Sequence, residues 1–306
     1  MRQALPVLVV LAALLAIWVV ACIPMNIKLA LTQAERVGVD VVPPDVRVRQ
    51  EMSGLALALR NPSVIPEVYT LDRPRLPAPG QVGRDFWENT VERKVTSKRS
   101  LVFHGWVTLS ATLNGFFLGT ALGILLAVGI VYSRTMELSI MPWAIISQTI
   151  PIVALAPMII VLVAAVGIEG RLVPKAIISA YLCFFPILVG MVAGLRAPDR
   201  MQLDLLKTYS ATPLQVFWKL RVPTSLPYLF TSLKVGIAAA LVGTIVGELP
   251  TGAVQGLGAR ILIGDQFGTP IQIWSALLAT AILAGVLITG IGVLQRLTLR
   301  RMGALQ

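Results

Sequence analysis

The stretch DLLKTYSATPLQVFWKLRVP, residues 204–223, is a polar segment with two prolines, and long apolar runs lie on both sides of it. The whole chain of 306 residues is 56% hydrophobic and 13% charged, with a mean hydropathy of +0.80. Soluble domains carry about a quarter charged residues, so this composition predicts a polytopic membrane protein. The segment 204–223 is therefore expected to be a loop between two membrane spans.

This segment is predicted to form a helical hairpin. Thr212, Pro213 and Gln215 fit a capping box, with the threonine as N-cap and the proline at the first helical position. A shorter helix is expected over residues 204–210, with its aspartate at the positive end. Pro223 is expected to end the second helix.

Apolar and aromatic residues share one face of the second helix of the hairpin, where Leu214, Phe217 and Trp218 fall together. Such residues are costly to leave in water. Two interpretations stay open: an amphipathic helix lying on lipid head groups, and a plug that docks into the groove of a soluble partner.

Six apolar runs are long enough to cross a bilayer, which takes about 20 helical residues: 4–24, 105–132, 138–168, 176–195, 227–247 and 271–295. The sequence thus predicts an all-α polytopic membrane protein with about six spans. The charged and proline-rich stretch 26–100 lies between the first two of these runs. It contains too many prolines for the sequence to predict one compact domain. The expected divisions are a first transmembrane helix (1–24), a periplasmic segment with short helices (25–104), and a core of five transmembrane helices with a cytoplasmic loop (105–306, loop 198–224).

The positions of lysine and arginine predict the orientation. With the N-terminus inside, ten basic residues fall in short cytoplasmic parts and three in short outer loops: Arg2, Arg134, Arg196, Arg200, Lys207, Lys219, Arg221, Arg296, Arg300 and Arg301 against Arg171, Lys175 and Arg260. This bias predicts cytoplasmic N- and C-termini. It also explains the net charge of +11 by contact with anionic membrane lipid, so no nucleic-acid partner is expected.

The span 105–132 contains Gly115, Gly119 and Gly123 at four-residue spacing. Small residues on one helical stripe let backbones approach closely, so these glycines predict tight helix packing. The stripe does not distinguish a neighbour in the same chain from a second copy.

Prolines interrupt the span 138–168, with Gln148 and Thr149 just before Pro151. Each interior proline frees a backbone carbonyl that needs another partner. One interpretation is a broken helix beside a water-filled route, which puts these three residues on the translocation pathway. The other is a kinked but fully packed helix.

Ionisable residues near the spans are the remaining candidates. Glu248 closes the span 227–247, where it either faces water at the outer end or contributes to the pathway. Lys234 is expected to extend its ammonium toward the cytoplasmic interface. His104, the one histidine, is expected to be solvated at the membrane edge.

The hairpin resembles the cytoplasmic loop of binding-protein-dependent ABC import permeases. That loop has Glu-Ala-Ala, three residues, Gly, nine residues, then Ile-x-Leu-Pro; here Asp204-Leu205-Leu206, Ser210 and Leu220-Arg221-Val222-Pro223 keep the spacing. Leucines replace the alanines and Ser210 replaces the glycine, which makes the loop bulkier. Residues 148–157, 184–196, 246–248 with 256–258, and 76–79 are similar to segments of the nitrate, taurine, alkanesulfonate and pyrimidine-precursor permeases. The resemblance covers 76–302 and leaves 25–75 as an insertion.

The resemblance implies a type I ABC importer transmembrane domain in the bacterial inner membrane. Its expected partners are a second permease copy in a homodimer, two ATP-binding subunits and a periplasmic substrate-binding protein. The solute would be a nitrate-, sulfonate- or taurine-like anion or a pyrimidine-type heterocycle. Coupling to the ATPase would fall on Asp204, Leu205, Leu206, Lys207, Thr208, Tyr209, Ser210 and Ala211, supported by Thr212, Pro213, Leu220 and Pro223.

The chain has no Gly-rich phosphate loop followed by Lys-Ser/Thr. No enzymatic activity, cofactor or metal is therefore expected in it, and ATP and Mg²⁺ are expected on the partner subunit. The main alternative is an ion-coupled secondary transporter, which would show embedded carboxylates and internal repeats. A membrane enzyme is disfavoured by the lack of a catalytic constellation. Cys22 also loosely resembles a lipoprotein processing site.

Overall fold

The computed structural model describes residues 4–168, 170–250 and 255–302, and every regular element within these ranges is helical. The α-helices are α1 (Ala4–Arg36), α2 (Val46–Glu51), α3 (Gly54–Arg60), α4 (Pro79–Trp87), α5 (Leu101–Tyr132), α6 (Arg134–Ser147), α7 (Ile152–Ala165), α8 (Leu172–Arg196), α9 (Arg200–Thr208), α10 (Pro213–Val216), α11 (Val222–Glu248), α12 (Leu257–Gln266) and α13 (Pro270–Arg301). A 3₁₀ helix covers Pro62–Tyr69, and π turns cover Glu88–Glu92 and Phe217–Arg221.

Five helical segments in these ranges are long and apolar enough to span a membrane: Leu5–Arg36, Leu101–Tyr132, Leu172–Arg196, Pro213–Glu248 and Pro270–Arg301. Helices α6 and α7 together form a sixth candidate, bent by 104° at the break between them. The structure therefore confirms an all-α polytopic membrane protein with about six spans. The predicted span 138–168 is broken, and its bend lies at the residues before Pro151.

Helix α1 continues to Arg36, beyond the predicted end of the first span at residue 24. Its extension buries Ile27, Ala30, Leu31 and Ala34, which recur at helical spacing and therefore form one apolar stripe. The stripe packs with buried residues of the following segment: Leu57, Ala58, Val64, Val68, Leu71 and Ala78. The helix continues past residue 24 because its apolar stripe is buried against the following segment, which stabilises the extension.

The chain divides into two compact units, and the first consists of Met1–Val102 with Arg260–Ala279. Within it, the Asn26 side chain accepts hydrogen bonds from the amides of Arg75 (2.8 Å) and Leu76 (3.1 Å) and donates one to the Leu76 carbonyl (2.7 Å). The indole of Trp18 donates to the Pro77 carbonyl at 3.0 Å. The expectation that this proline-rich stretch is too broken to be compact was wrong, because buried polar contacts and the apolar stripe of α1 hold it together.

The second unit consists of Phe103–Ala259 and residues from Thr280 onward, and α8 packs against both α5 and α11 within it. Gly115 of α5 lies against Ser179, Gly119 against Cys183, and a Cβ on Gly123 would lie 2.8 Å from the Phe184 carbonyl oxygen. The glycine stripe therefore faces a neighbouring helix of the same chain.

Helix α11 approaches α8 just as closely as α5 does. A Cβ on Gly243 would lie 2.9 Å from the Ser179 Cα, and one on Gly194 would lie 2.9 Å from the Ser225 Cβ. The Ser179 hydroxyl donates to the Ala240 carbonyl at 2.9 Å. Small residues at the contacts of α8 with α5 and α11 thus allow the backbones to approach closely.

Candidate functional site

The first helix of the hairpin, α9, begins at Arg200, four residues before the predicted start at Asp204. Asp199 is its N-cap: the Asp199 carboxylate accepts from the Arg200 amide (2.7 Å), and the Gln202 side chain accepts from the Asp199 amide (3.2 Å). This Asp-x-x-Gln pattern is a capping box that the sequence analysis missed. Asp204 lies inside the helix, paired with Lys207 at 2.8 Å in an exposed position.

Ser210 ends α9 in the left-handed backbone region, with φ of +54°. The Ser210 amide donates to the Lys207 carbonyl (2.8 Å) and the Ala211 amide to the Leu206 carbonyl (3.0 Å), the two bonds of a Schellman motif. This conformation favours glycine, because a Cβ is strained there. It explains physically why the resembling loops have glycine where this chain has Ser210.

The predicted capping box of the second helix is present. The Gln215 side chain accepts from the Thr212 amide at 2.8 Å, and the Thr212 hydroxyl accepts from the Gln215 amide at 3.4 Å. The prediction that Pro223 ends this helix was wrong. A π turn carries the chain from α10 into α11, with the Val222 amide donating to the Phe217 carbonyl, so the helix stays continuous through the proline.

Five large apolar side chains of the hairpin are 55–76% exposed: Met201, Leu205, Tyr209, Leu214 and Trp218. We call these residues the apolar patch. Phe217, predicted to share their exposure, is instead half-buried and packs against Tyr132 with 5.9 Å between ring centroids. Tyrosine and tryptophan are the residues most enriched at the energetic centres of protein interfaces. The patch is therefore suited to bind a groove on another protein.

The base of the hairpin is fastened to α8. The Arg221 guanidinium donates to the Leu195 carbonyl at 2.8 Å and lies 5.7 Å from the centroid of the Tyr132 ring. Glu137 at the start of α6 pairs with Arg134 (2.8 Å) and with Arg196 of α8 (3.1 Å). These contacts fix the base of the hairpin to α8 and hold the start of α6 against the end of α8.

A second candidate site is a buried ion pair at the end of α11. The Glu248 carboxylate is completely buried and lies 3.2 Å from the Lys175 ammonium, which is buried as well. The Thr108 hydroxyl donates to the same carboxylate at 3.0 Å, and the Gly258 amide donates at 2.7 Å. The interpretation that Glu248 faces water was wrong, because three neighbouring elements enclose it.

The start of α12 is held at this ion pair by side chains. The Gly256 amide donates to His104 Nδ1 at 3.0 Å, and the Leu257 amide donates to the Thr108 hydroxyl at 2.9 Å. Gly256 has φ of +125°, and a Cβ there would collide with the Glu248 carboxylate. His104 is buried, so the expectation that it is solvated was wrong: it satisfies a backbone amide. No sequence signal links His104 to a segment about 150 residues away.

Gln148, Thr149 and Pro151 lie at the bend between α6 and α7. The Thr149 hydroxyl donates to the Ile146 carbonyl at 2.8 Å, and Gln148 donates to the Ser147 hydroxyl at 3.3 Å. The Tyr181 hydroxyl of α8 donates to the Ser147 carbonyl. Some backbone carbonyls at the bend therefore find hydrogen-bond donors within the chain. The assignment of Gln148, Thr149, Pro151 and Glu248 to a translocation pathway stays a prediction.

Lys234 lies within α11 beside Gly292 of α13. A Cβ on that glycine would be 3.9 Å from the Lys234 ammonium. Helix α11 begins at Val222, so the lysine is twelve residues, or about 18 Å, from its start.

Comparison with known proteins identifies the family. Residues 119–304 match the family described as the binding-protein-dependent transport system inner membrane component. The chain is 34% identical over 184 residues to the formylaminopyrimidine transport permease protein ThiX of Halalkalibacterium halodurans, covering 60% of this chain and 68% of that protein. It is 34% identical over 226 residues to the riboflavin transport system permease protein RibX of Chloroflexus aurantiacus, covering 74% and 80%.

A more distant relative is the bicarbonate transport system permease protein CmpB of Synechocystis, 27% identical over 46% of this chain and 51% of that protein. The solved MetNI methionine ABC transporter, in inward-facing conformations, shares the fold with a TM-score of 0.52 and 21% identity, covering 64% of this chain and 94% of that chain. An amino acid ABC transporter does so with a TM-score of 0.51 and 14% identity, covering 72% and 96%. The chain therefore belongs to the binding-protein-dependent transport system inner membrane component family and is a permease subunit of an ABC importer.

Proposed function

We propose that this permease moves a small polar solute, delivered by a periplasmic binding protein, across the bacterial inner membrane. Two separate ATP-binding subunits would bind ATP and Mg²⁺ and hydrolyse the nucleotide, so the chain itself would not be an enzyme. Two copies of the chain would form a homodimer, with both termini in the cytoplasm. The distribution of basic residues supports this orientation.

The apolar patch carries the proposal. Its five exposed side chains lie on a short, capped hairpin whose base is bound to α8 through Arg221. A rigid element with exposed Tyr209 and Trp218 has the chemistry of an interface anchor, since aromatic side chains bury a large area at low entropic cost. We therefore infer that the hairpin inserts into a groove of the ATP-binding subunit and passes its movement to the spans.

Two solute classes remain candidates, a nitrogen heterocycle and a small oxyanion. We place the heterocycle first, because the two relatives at 34% identity are named for formylaminopyrimidine and riboflavin transport. The relative named for bicarbonate transport is 27% identical and covers less than half of this chain. The membrane residues proposed to border the route are Gln148, Thr149 and Pro151 at the bend, with Glu248 at the end of α11.

Uptake into proteoliposomes tests the proposal. The chain would be reconstituted with its cognate ATP-binding subunit, the solute-loaded binding protein and ATP on the ATPase side. We expect uptake only when all components and ATP are present. An ion-coupled secondary transporter, which family membership does not favour, would instead take up solute from an imposed proton or sodium gradient without ATP.

A further inference from the structure

One backbone carbonyl at the break between α6 and α7 has its hydrogen bond from a side chain of α8. In a continuous helix the Ser147 carbonyl would accept from the amide of residue 151, but Pro151 has no N–H. The Tyr181 hydroxyl of α8 donates to this carbonyl, and the Ile150 amide nitrogen lies 3.4 Å from its oxygen. Lipid offers no donor to a carbonyl within a membrane span. Tyr181 therefore replaces at the bend the hydrogen bond that the proline removes.

The other end of α8 contacts the base of the hairpin. The last turn of a helix leaves its carbonyls without intrahelical donors, and the Arg221 guanidinium donates to the carbonyl of Leu195 at 2.8 Å. Its positive charge also lies at the negative end of the α8 dipole. Tyr181 and Leu195 are fourteen residues apart on α8, which is about 21 Å along the helix. One helix thus reaches from the bend to the hairpin.

Helix α6 is held against α8 at both of its ends. Glu137 in its first turn pairs with Arg196 at 3.1 Å, and its last residue, Ser147, accepts from Tyr181. One apolar cluster lies along the same helices and includes Ala144 of α6, Leu188 and Leu195 of α8 and Phe217 of the hairpin. Close-packed interiors have low compressibility, so a displacement at one end of such a cluster is felt at the other.

We propose that α8 connects the hairpin to the bend, and that Tyr181 is the positioning residue through which it acts there. Displacement of the hairpin moves the end of α8 through Arg221, and Tyr181 carries the movement to the Ser147 carbonyl at the break. The connection rests on the proposed function, because it takes the hairpin as the coupling element and the bend as part of the route. It adds the contacts by which ATP hydrolysis on a separate subunit reaches the membrane residues.

Hydrogen exchange of the reconstituted complex tests the connection, with the ATP-binding subunit, ATP and vanadate as the probes. Protection of residues 204–218 on adding the subunit reports docking of the hairpin, and exchange at the amides of residues 148–150 reports the bend. In the natural chain we expect trapping with ATP and vanadate to change exchange at the bend by at least about fivefold, the lower end of typical coupling between two sites. Both signals come from one sample, so docking and transmission are measured separately.

Substitutions at the two ends of α8 distinguish transmission from local packing. Tyr181→Phe removes only the hydroxyl, and Arg221→Met removes the contact about 21 Å from the bend, where it cannot loosen the bend locally. Each should leave the hairpin protected by the subunit but abolish the response of the bend to ATP and vanadate. Arg221→Lys, which keeps a donor, should retain the response. The matched control is Tyr228→Phe, which removes the hydroxyl of an exposed tyrosine on α11 and should behave as the natural chain does.

The connection is overturned if the hairpin of the natural chain is protected while the bend does not respond to ATP and vanadate. It is equally overturned if the bend still responds in Tyr181→Phe or in Arg221→Met, or if Tyr228→Phe loses the response to the same extent. In these cases the proposed function stands. Absence of hairpin protection in the natural chain would instead contradict the proposed function, and the connection with it.

Discussion

The Glu248 carboxylate and the Lys175 ammonium lie 3.2 Å apart with both side chains excluded from solvent. They join α11 to the beginning of α8, and the two residues are 73 positions apart in sequence. The same carboxylate binds the Gly258 amide, so one charged pair also holds the start of α12. Removing one charge leaves the other buried and uncompensated, which is far more costly than never burying the pair.

We therefore expect Glu248→Gln and Lys175→Met each to lower the free energy of unfolding by about 3–5 kcal/mol. The double variant should be less destabilised than either single variant, because neither charge remains buried alone. Thermal unfolding of the purified chain measures this. The control is Asp204→Asn, which breaks the exposed Asp204–Lys207 pair and should cost less than about 1 kcal/mol. Additive effects of the two buried substitutions would contradict the account.

Ser210 offers a stabilising substitution. Ser210→Gly should favour the hairpin by about 1 kcal/mol, because glycine adopts a positive φ without the strain of a Cβ. Hydrogen exchange at the Ala211 amide, which closes the helix end on Leu206, reports the local stability. Exchange should slow in Ser210→Gly and accelerate in Ser210→Val, since a β-branched side chain strains this conformation most. Faster exchange in Ser210→Gly would show that the positive φ at this position does not limit the local stability of the hairpin.

Two glycines of α5, one in the glycine stripe and one outside it, provide a matched pair of substitutions. A Cβ at Gly123 would lie 2.8 Å from the Phe184 carbonyl oxygen, whereas one at Gly105 of the same helix would meet no atom of the described residues within 4 Å. Gly123→Ala should therefore destabilise the chain by about 1–3 kcal/mol through overpacking. Gly105→Ala should be neutral or stabilising, because alanine is the better helix former. Thermal unfolding of both variants tests this prediction. Equal changes in stability would show that the contact of residue 123 with α8 does not cause the destabilisation.

Hydropathy predicted the number and type of the spans because apolar length is a property of the chain alone. The start of α9 was misplaced because the capping box at Asp199 lies outside the stretch that matches the family pattern. The prediction of a helix end at Pro223 was wrong because the π turn before this proline keeps the helix continuous. The Lys175–Glu248 pair could not be predicted, because a contact over 73 residues has no local periodicity.

The most direct test of the central claim is whether the apolar patch binds the ATP-binding subunit. Affinity purification of the tagged permease would compare the natural chain with Leu205→Asp and Tyr209→Asp, measuring the amount of ATP-binding subunit recovered. The control is Leu59→Asp on α3, a leucine that is 84% exposed and lies outside the hairpin. We expect each hairpin variant to insert normally and to bind the subunit roughly 30-fold more weakly or worse, which corresponds to a loss of about 2 kcal/mol. Full recovery of the subunit with both hairpin variants would contradict the assignment of this hairpin as the coupling element.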